Sequence, residues 1–184
     1  MLNPTPTPAF QFESLGPQHD RESFSCGVDA LDNYLHRQAR QDIKKRVAVA
    51  FVLTPDAKTI AGYYTLSQYS VELGAMPQET ARKLPKYPVV AATLIGRLAV
   101  STAFRGRGLG ELLLMDALNR CLAGSKHVAS AAVVVDAKDD GAMAFYRKYG
   151  FMELPKITGR LFLPMATIEK MFRLIEFSLP IDLR

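Results

Sequence analysis

The chain has no tryptophan, two cysteines and three histidines among its 184 residues. Cys26 and Cys121 stand far apart with no Cys-x-x-Cys spacing, so neither a structural zinc nor a disulfide framework is indicated; two reduced thiols are expected. His19 falls in a loop, His36 among polar neighbours on a helix, and His127 at the start of a strand-like run. No Ser/His/Asp or Cys/His constellation follows from that order, and no metal site is expected. No apolar run approaches the roughly 20 residues that a membrane-spanning helix requires. The opening Met1-Leu2-Asn3-Pro4-Thr5-Pro6-Thr7-Pro8 puts prolines where a secretion signal needs a charged start and an apolar core. A soluble, cytoplasmic protein with a loose tail over 1–9 is therefore expected, without repeats, low-complexity tracts or interdomain linkers.

What is present suffices for one good core. A hydrophobic content of 48% over this length reads as a single domain spanning 1–184. Lys plus Arg number 23 against 18 Asp plus Glu, a net charge of +5, which suits a polyanionic partner, whether coenzyme, RNA or an acidic protein. Phe10 to Leu15 alternates apolar and polar residues as a half-buried strand does. Val28, Leu31, Leu35 and Ala39 recur at helical spacing, and the continuation Arg40 to Arg46 is polar and basic. Val47–Leu53 and Ile60–Gln68, separated by a Pro55-Asp56-Ala57-Lys58 turn, predict a hairpin. Pro77 to Leu84 predicts a short helix or loop in an insert carrying Arg82, Lys83 and Lys86.

Val89 to Val100 is nearly continuous apolar sequence broken by Gly96-Arg97, as in a buried central strand distorted at its middle. A helix follows from about Gly108, with Leu109, Leu112, Leu113, Ala117 and Leu118 along one stripe. His127 to Val135 predicts another buried strand, and Asp139 or Asp140 a cap for a helix over Gly141–Lys148 that ends at a left-handed Gly150. Phe151–Leu154 and Arg160–Leu163 predict the last strands, Met165–Leu174 a short helix, and Pro180–Arg184 a loose end.

Between the central strand and its helix lies Arg105-Gly106-Arg107-Gly108-Leu109-Gly110. Three glycines let the backbone take positive φ and approach a ligand, while the helix start leaves several N–H groups without intrahelical partners. Those donors, the helix dipole and the arginines favour a phosphate. The spacing is neither a Walker A loop nor a dinucleotide fingerprint; it is Arg-x-x-Gly-x-Gly.

That hexapeptide, preceded by Leu98-Ala99-Val100 and followed by Ala144-Phe145-Tyr146-Arg147-Lys148-Tyr149-Gly150-Phe151, resembles the GNAT N-acetyltransferases over roughly Phe10 to Phe172. The phrases Phe24-Ser25-Cys26-Gly27, Gly62-Tyr63-Tyr64-Thr65-Leu66-Ser67 and Arg160-Leu161-Phe162-Leu163-Pro164-Met165 resemble, more narrowly, the acetyltransferase toxins of bacterial toxin–antitoxin modules. The resemblance implies a mixed α/β fold with a mostly antiparallel central sheet, splayed at Ala91–Val100, and helices on both faces. It implies acetyl-CoA as cosubstrate, its pyrophosphate held at Arg105, Gly106, Arg107, Gly108, Leu109 and Gly110. The acyl carbonyl and pantetheine arm would meet the main chain of Leu98, Ala99 and Val100. Tyr146 matches the tyrosine that such enzymes use as general acid, whereas Tyr149 and Phe151 read as packing. Many members carry an asparagine a few residues before the Phe-Tyr pair, where this chain has Asp136, Lys138, Asp139 and Asp140; that departure puts in doubt a coenzyme contact from this loop.

The narrower resemblance implies a toxin that acetylates the α-amino group of an aminoacyl-tRNA and blocks translation, with an antitoxin as partner. Arg82, Lys83, Lys86 and Arg97, with Lys44, Lys45 and Arg46 as outliers, are the candidate tRNA contacts. Two other readings stand beside it: a housekeeping acetyltransferase of a small amine or protein N-terminus, and a binding module without turnover. Which amine is acetylated, and whether two copies form a homodimer, the sequence leaves open.

Overall fold

A computed structural model describes residues 9–178; the proline-rich start and Pro180–Arg184 lie outside the described residues. Seven strands form one sheet in the order β1-β2-β3-β4-β5-β7-β6. They are β1 (Gln11–Ser14), β2 (Val49–Thr54), β3 (Gly62–Glu72), β4 (Val89–Val100), β5 (Ala132–Asp136), β6 (Met152–Glu153) and β7 (Arg160–Pro164). The β1–β2, β5–β7 and β6–β7 ladders are antiparallel, and β4–β5 is parallel. The fold is thus mixed α/β with a mostly antiparallel sheet. The β4–β5 register runs from Thr93↔Val133 to Ile95↔Val135, whereas β4 itself continues to Val100.

The helices are α1 (Asp29–Asn33) and α2 (Ala39–Lys44) flanking a π-helical turn at Tyr34–Gln38, α3 (Gln78–Ala81), α4 (Leu109–Ser125), α5 (Asp140–Lys148) and α6 (Met165–Ser178). The π turn departs from the regular helix that the apolar spacing predicts. Its wider loop, closed by the Ala39 N–H on the Tyr34 carbonyl, turns both Tyr34 and Leu35 into the core. Arg21 donates to the carbonyls of Leu35 and His36 on this turn.

By compactness the chain divides into two units, and β3, β4 and α4 each supply residues to both. The first holds the residues up to Thr65 with Arg97–Leu114. Its core gathers Phe24, Cys26, Tyr34, Leu35, Ala39, Val52, Ile60, Tyr63 and Ala99. The second holds Leu66–Gly96 and the residues from Met115 onward, around Val71, Met76, Val90, Ala92, Val134, Leu154 and Phe162.

Several predicted boundaries are corrected. Strand β5 starts at Ala132 rather than His127, because the His127 and Val128 N–H groups donate to the Gly124 carbonyl and close the end of α4. Helix α6 runs on to Ser178, and the strand predicted at Phe151–Leu154 keeps only Met152–Glu153. On α4, Leu109, Leu113, Ala117 and Leu118 are buried as predicted, but Leu112 is 41% exposed and Leu114, outside the predicted stripe, is fully buried. At about 100° per residue, Leu109, Leu113, Leu114, Ala117, Leu118 and Cys121 cover one half of the wheel, and Leu112 falls on the other half.

Candidate active site

Strand β4 delivers the chain to a short turn. Ser101 is buried, caps the 3-10 turn Thr102–Phe104 by accepting from the Ala103 N–H, and donates its own N–H to the Ala61 carbonyl at 2.8 Å. Arg105 to Gly108 follow in the open, with Gly106 at φ 76° and Gly108 at φ 72°. A Cβ at either glycine would meet nothing within 4 Å, so what demands glycine is the backbone angle. The space beside both glycines is clear of protein atoms. Helix α4 then begins at Leu109, and its first N–H groups lack intrahelical partners as far as Leu112, which donates to the Gly108 carbonyl at 3.3 Å. Leu109 is buried and anchors the turn, while Gly110 is half-buried.

The cradle is braced from within its own unit. Arg105 donates to the Cys26 carbonyl at 2.5 Å, and the Thr102 N–H donates to the Ser25 carbonyl at 2.8 Å. Gly27, at φ 77°, could not carry a Cβ without bringing it to 3.1 Å from the Arg105 guanidinium. The phrase Phe24-Ser25-Cys26-Gly27 therefore buttresses the cradle. Arg107 lies with its guanidinium 5.3 Å from the Phe104 ring centre.

Gly62 is a site residue that spacing alone did not single out. A Cβ there would stand 2.7 Å from Leu113 Cδ1 and 3.0 Å from the Ala99 carbonyl oxygen, so glycine lets the first turns of α4 close on β3 and β4. Its only signal was membership of the Gly62–Ser67 phrase. Of the candidate main-chain contacts, Ala99 is buried and Leu98 and Val100 are half-buried.

Arg97 separates from the other basic candidates. Its guanidinium carbon sits 3.4 Å from the centre of the Tyr34 ring, a contact worth about 0.5–2 kcal/mol. Tyr34 in turn donates to Asp42 at 3.0 Å; burial, then that hydrogen bond, push its phenol up to about 12. Arg82, Lys83 and Lys86 are exposed, and so are Lys44, Lys45 and Arg46. Lys83 lines, with Lys170, Met76, Leu84 and Phe162, a cavity of about 380 Å³ in the second unit.

Tyr146 lies in the second unit on α5, whose start is fixed by Asp139 accepting from the Ala142 N–H at 2.8 Å. Gly150, at φ 87°, ends the helix, and its N–H donates to the Arg147 carbonyl. Tyr146 is 7% exposed, with the rings of Phe145 and Phe151 at 5.2 and 5.4 Å. Burial first, and the charge of Asp136 second, push its phenol up to about 12. It is therefore a protonated donor throughout the neutral range. Phe151 is buried and Tyr149 packs on Phe145 at 5.2 Å, in keeping with packing roles.

Two of the three histidines have structural partners. His36 Nε2 bonds the Phe24 carbonyl at 2.8 Å, and buried His19 accepts the Gly16 N–H on Nδ1 at 2.9 Å. Cys26 and Cys121 are buried free thiols, pushed by burial up to about 11 and about 12, so both stay as unreactive thiols. Among the described residues no group of histidine, cysteine and carboxylate side chains could hold a metal, and no helix is long and apolar enough to cross a membrane.

A family model described as an acetyltransferase (GNAT) domain matches residues 48–153. The chain is 31% identical over 168 residues to a probable toxin TacT of Sinorhizobium fredii (strain NBRC 101917 / NGR234), covering 86% of this chain and 93% of that protein. It is 36% identical over 133 residues to a tRNA-acetylating toxin of Mycobacterium tuberculosis (strain ATCC 25618 / H37Rv), covering 72% and 78%. Among solved structures, AtaT complexed with acetyl-methionyl-tRNAfMet superposes with a TM-score of 0.81 at 29% identity, over 89% of this chain and 99% of that one. AtaTR bound with AcCoA superposes with a TM-score of 0.78 at 27% identity, over 89% and 98%.

Proposed function

The chain belongs to the GNAT acetyltransferase family, and from that premise we propose that it moves the acetyl group of acetyl-CoA onto the α-amino group of an aminoacyl-tRNA, so blocking translation. The observation that carries this reading is the likeness to AtaT, whose structure holds an acetylated methionyl-tRNA, across nearly the whole chain. A cognate antitoxin as partner belongs to the same reading, as does a single catalytic domain over 1–184.

The residues present fit the cosubstrate. Positive φ at Gly106 and Gly108, open space beside both, the α4 N-terminus and the exposed arginines together suit a pyrophosphate. In this reading Arg105 to Gly110 hold it, Arg105 with the donors left over from Cys26, and the main chain of Leu98 to Val100 positions the arm. Acetyl-CoA supplies the acetyl thioester. The amine nitrogen attacks the thioester carbonyl, the carbon–sulfur bond breaks, and the Tyr146 hydroxyl donates its proton to the departing sulfur. The nitrogen sheds one proton as the amide forms, and that proton restores the phenol through solvent.

The acceptor suits a site without a dedicated base. An α-amino group has an ordinary pKa of about 7.7–8.0 against about 10.4 for lysine, so much of it is neutral near pH 7.5. The test incubates the protein with acetyl-CoA and bulk-charged tRNA, digests the tRNA, and reads the aminoacyl-adenosine fragments by mass spectrometry. Acetylated fragments are the expected result; acetylation of free small amines but of no charged tRNA would replace the tRNA reading with a small-amine enzyme.

A further inference from the structure

At the end of β5 the protein has built something that the proposed chemistry does not use. Asp136, the last residue of β5, pairs in register with Arg160, the first residue of β7. Arg160 grips the carboxylate with two donors, Nε to Oδ1 at 2.6 Å and Nη2 to Oδ2 at 3.0 Å. Its third arm, Nη1, donates to the Tyr69 hydroxyl on β3, and its guanidinium carbon lies 4.9 Å from the Tyr69 ring centre. The turn before Arg160 is equally constrained. Gly159 is at φ 76°, its carbonyl accepts the Ala137 N–H at 2.7 Å, and a Cβ there would come within 3.1 Å of the Ala137 oxygen.

The two charges are unequally placed. The Arg160 side chain is 22% exposed and the Asp136 side chain 48%. An ordinary surface ion pair contributes little to stability and needs no such scaffold. Here a sheltered guanidinium, each of whose three nitrogens makes one hydrogen bond, presents a carboxylate outward, and each carboxylate oxygen, having accepted one N–H, keeps acceptor capacity. Two further ion pairs lie on the adjoining segments, Lys138 with Asp139 and Arg147 with Glu153. Tyr146 feels the Asp136 charge, which places the carboxylate within electrostatic reach of the phenol assigned to the leaving sulfur.

We infer that Asp136, oriented by Arg160 and Tyr69, is the anchor for the cationic amine of the acceptor. A primary ammonium carries three N–H donors and one positive charge, the complement of a fixed outward carboxylate. The two-pronged arginine fixes the direction in which the carboxylate faces, so Asp136 holds and orients the ammonium, whose extra proton leaves to solvent before attack. Arg160 and Tyr69 are positioning residues that act through Asp136. The inference rests on the acetyltransferase reading, not on the tRNA being the acceptor.

Steady-state kinetics test it on bulk-charged aminoacyl-tRNA, with glycinamide as the small-amine probe should the tRNA not react. Asp136→Asn is expected to raise KM for the amine at least tenfold and to leave KM for acetyl-CoA within about twofold. Arg160→Lys, which keeps the charge but loses the two-pronged grip, should fall between. An unchanged amine KM in folded Asp136→Asn overturns the anchor, even where aminoacyl-tRNA acetylation itself is confirmed. Because Asp136→Asn strips a sheltered arginine of its partner and could unfold the chain, a second measurement uses the unaltered protein. Charged tRNA treated with nitrous acid carries an α-hydroxyl in place of the α-amine; glycolamide is the matching analogue of glycinamide. The hydroxyl analogue is expected to compete at least tenfold more weakly than the amine binds, and equal affinity overturns the proposal.

Discussion

Tyr146 shows how burial can suit a side chain to one chemical task. Two aromatic neighbours and its 7% exposure remove the water that would stabilise a phenolate, and the nearby Asp136 charge opposes it further. With its phenol pushed up to about 12, the hydroxyl keeps its proton through about pH 10. Tyr146 should therefore cause no alkaline loss of activity below that point; an alkaline limb near about pH 9 that disappears in Tyr146→Phe would contradict this. The same variant is expected to lower kcat by about 10²–10⁴-fold, the range for a lost general acid, with coenzyme affinity unchanged. Near-normal turnover by Tyr146→Phe would mean that water or another donor protonates the sulfur.

The β4–turn–α4 junction is the element on which coenzyme binding is proposed to depend, and it combines two glycine requirements of different origin. Gly106 and Gly108 answer to backbone angle, since an L-residue in the left-handed region costs about 1–2 kcal/mol. Gly62 answers to space, since it faces Leu113 and the Ala99 carbonyl across a gap too narrow for a methyl. Gly108→Glu should fold but lose acetyl-CoA binding by calorimetry, because the new carboxylate enters the open space proposed for the pyrophosphate. Unchanged affinity in a folded Gly108→Glu protein would remove the cradle from the site. Positive φ was legible at Gly106 and Gly108 from the run of three glycines, but Gly110 lies inside α4 without it, and the reason for Gly62 appears only once α4 lies on its strand.

For the molecule as a whole, the net charge of +5 matters through where the cations stand. Arg82, Lys83 and Lys86 are exposed, whereas Arg97 is committed to Tyr34. If the first three follow a tRNA backbone, Arg82→Ala with Lys83→Ala should weaken activity on aminoacyl-tRNA and flatten its salt dependence. The log–log slope should drop by roughly 0.7–0.9 for each phosphate that the variant no longer neutralises, with acetyl-CoA affinity intact. Identical salt series for variant and parent would remove this insert from the tRNA surface. The sequence by itself determined the central strand to its residue bounds, the glycine-bearing turn before α4, a cap at Asp139 or Asp140, the Gly150 stop and the family, because each depends on neighbours a few positions apart or on contiguous motifs. Only the tertiary structure decided the π turn that buries Tyr34 beside Leu35, the exchange of Leu112 for Leu114 in the core, and the Asp136–Arg160–Tyr69 network. The partners in that network stand 24 and 91 positions apart, and they meet through the register of strands that no local spacing encodes.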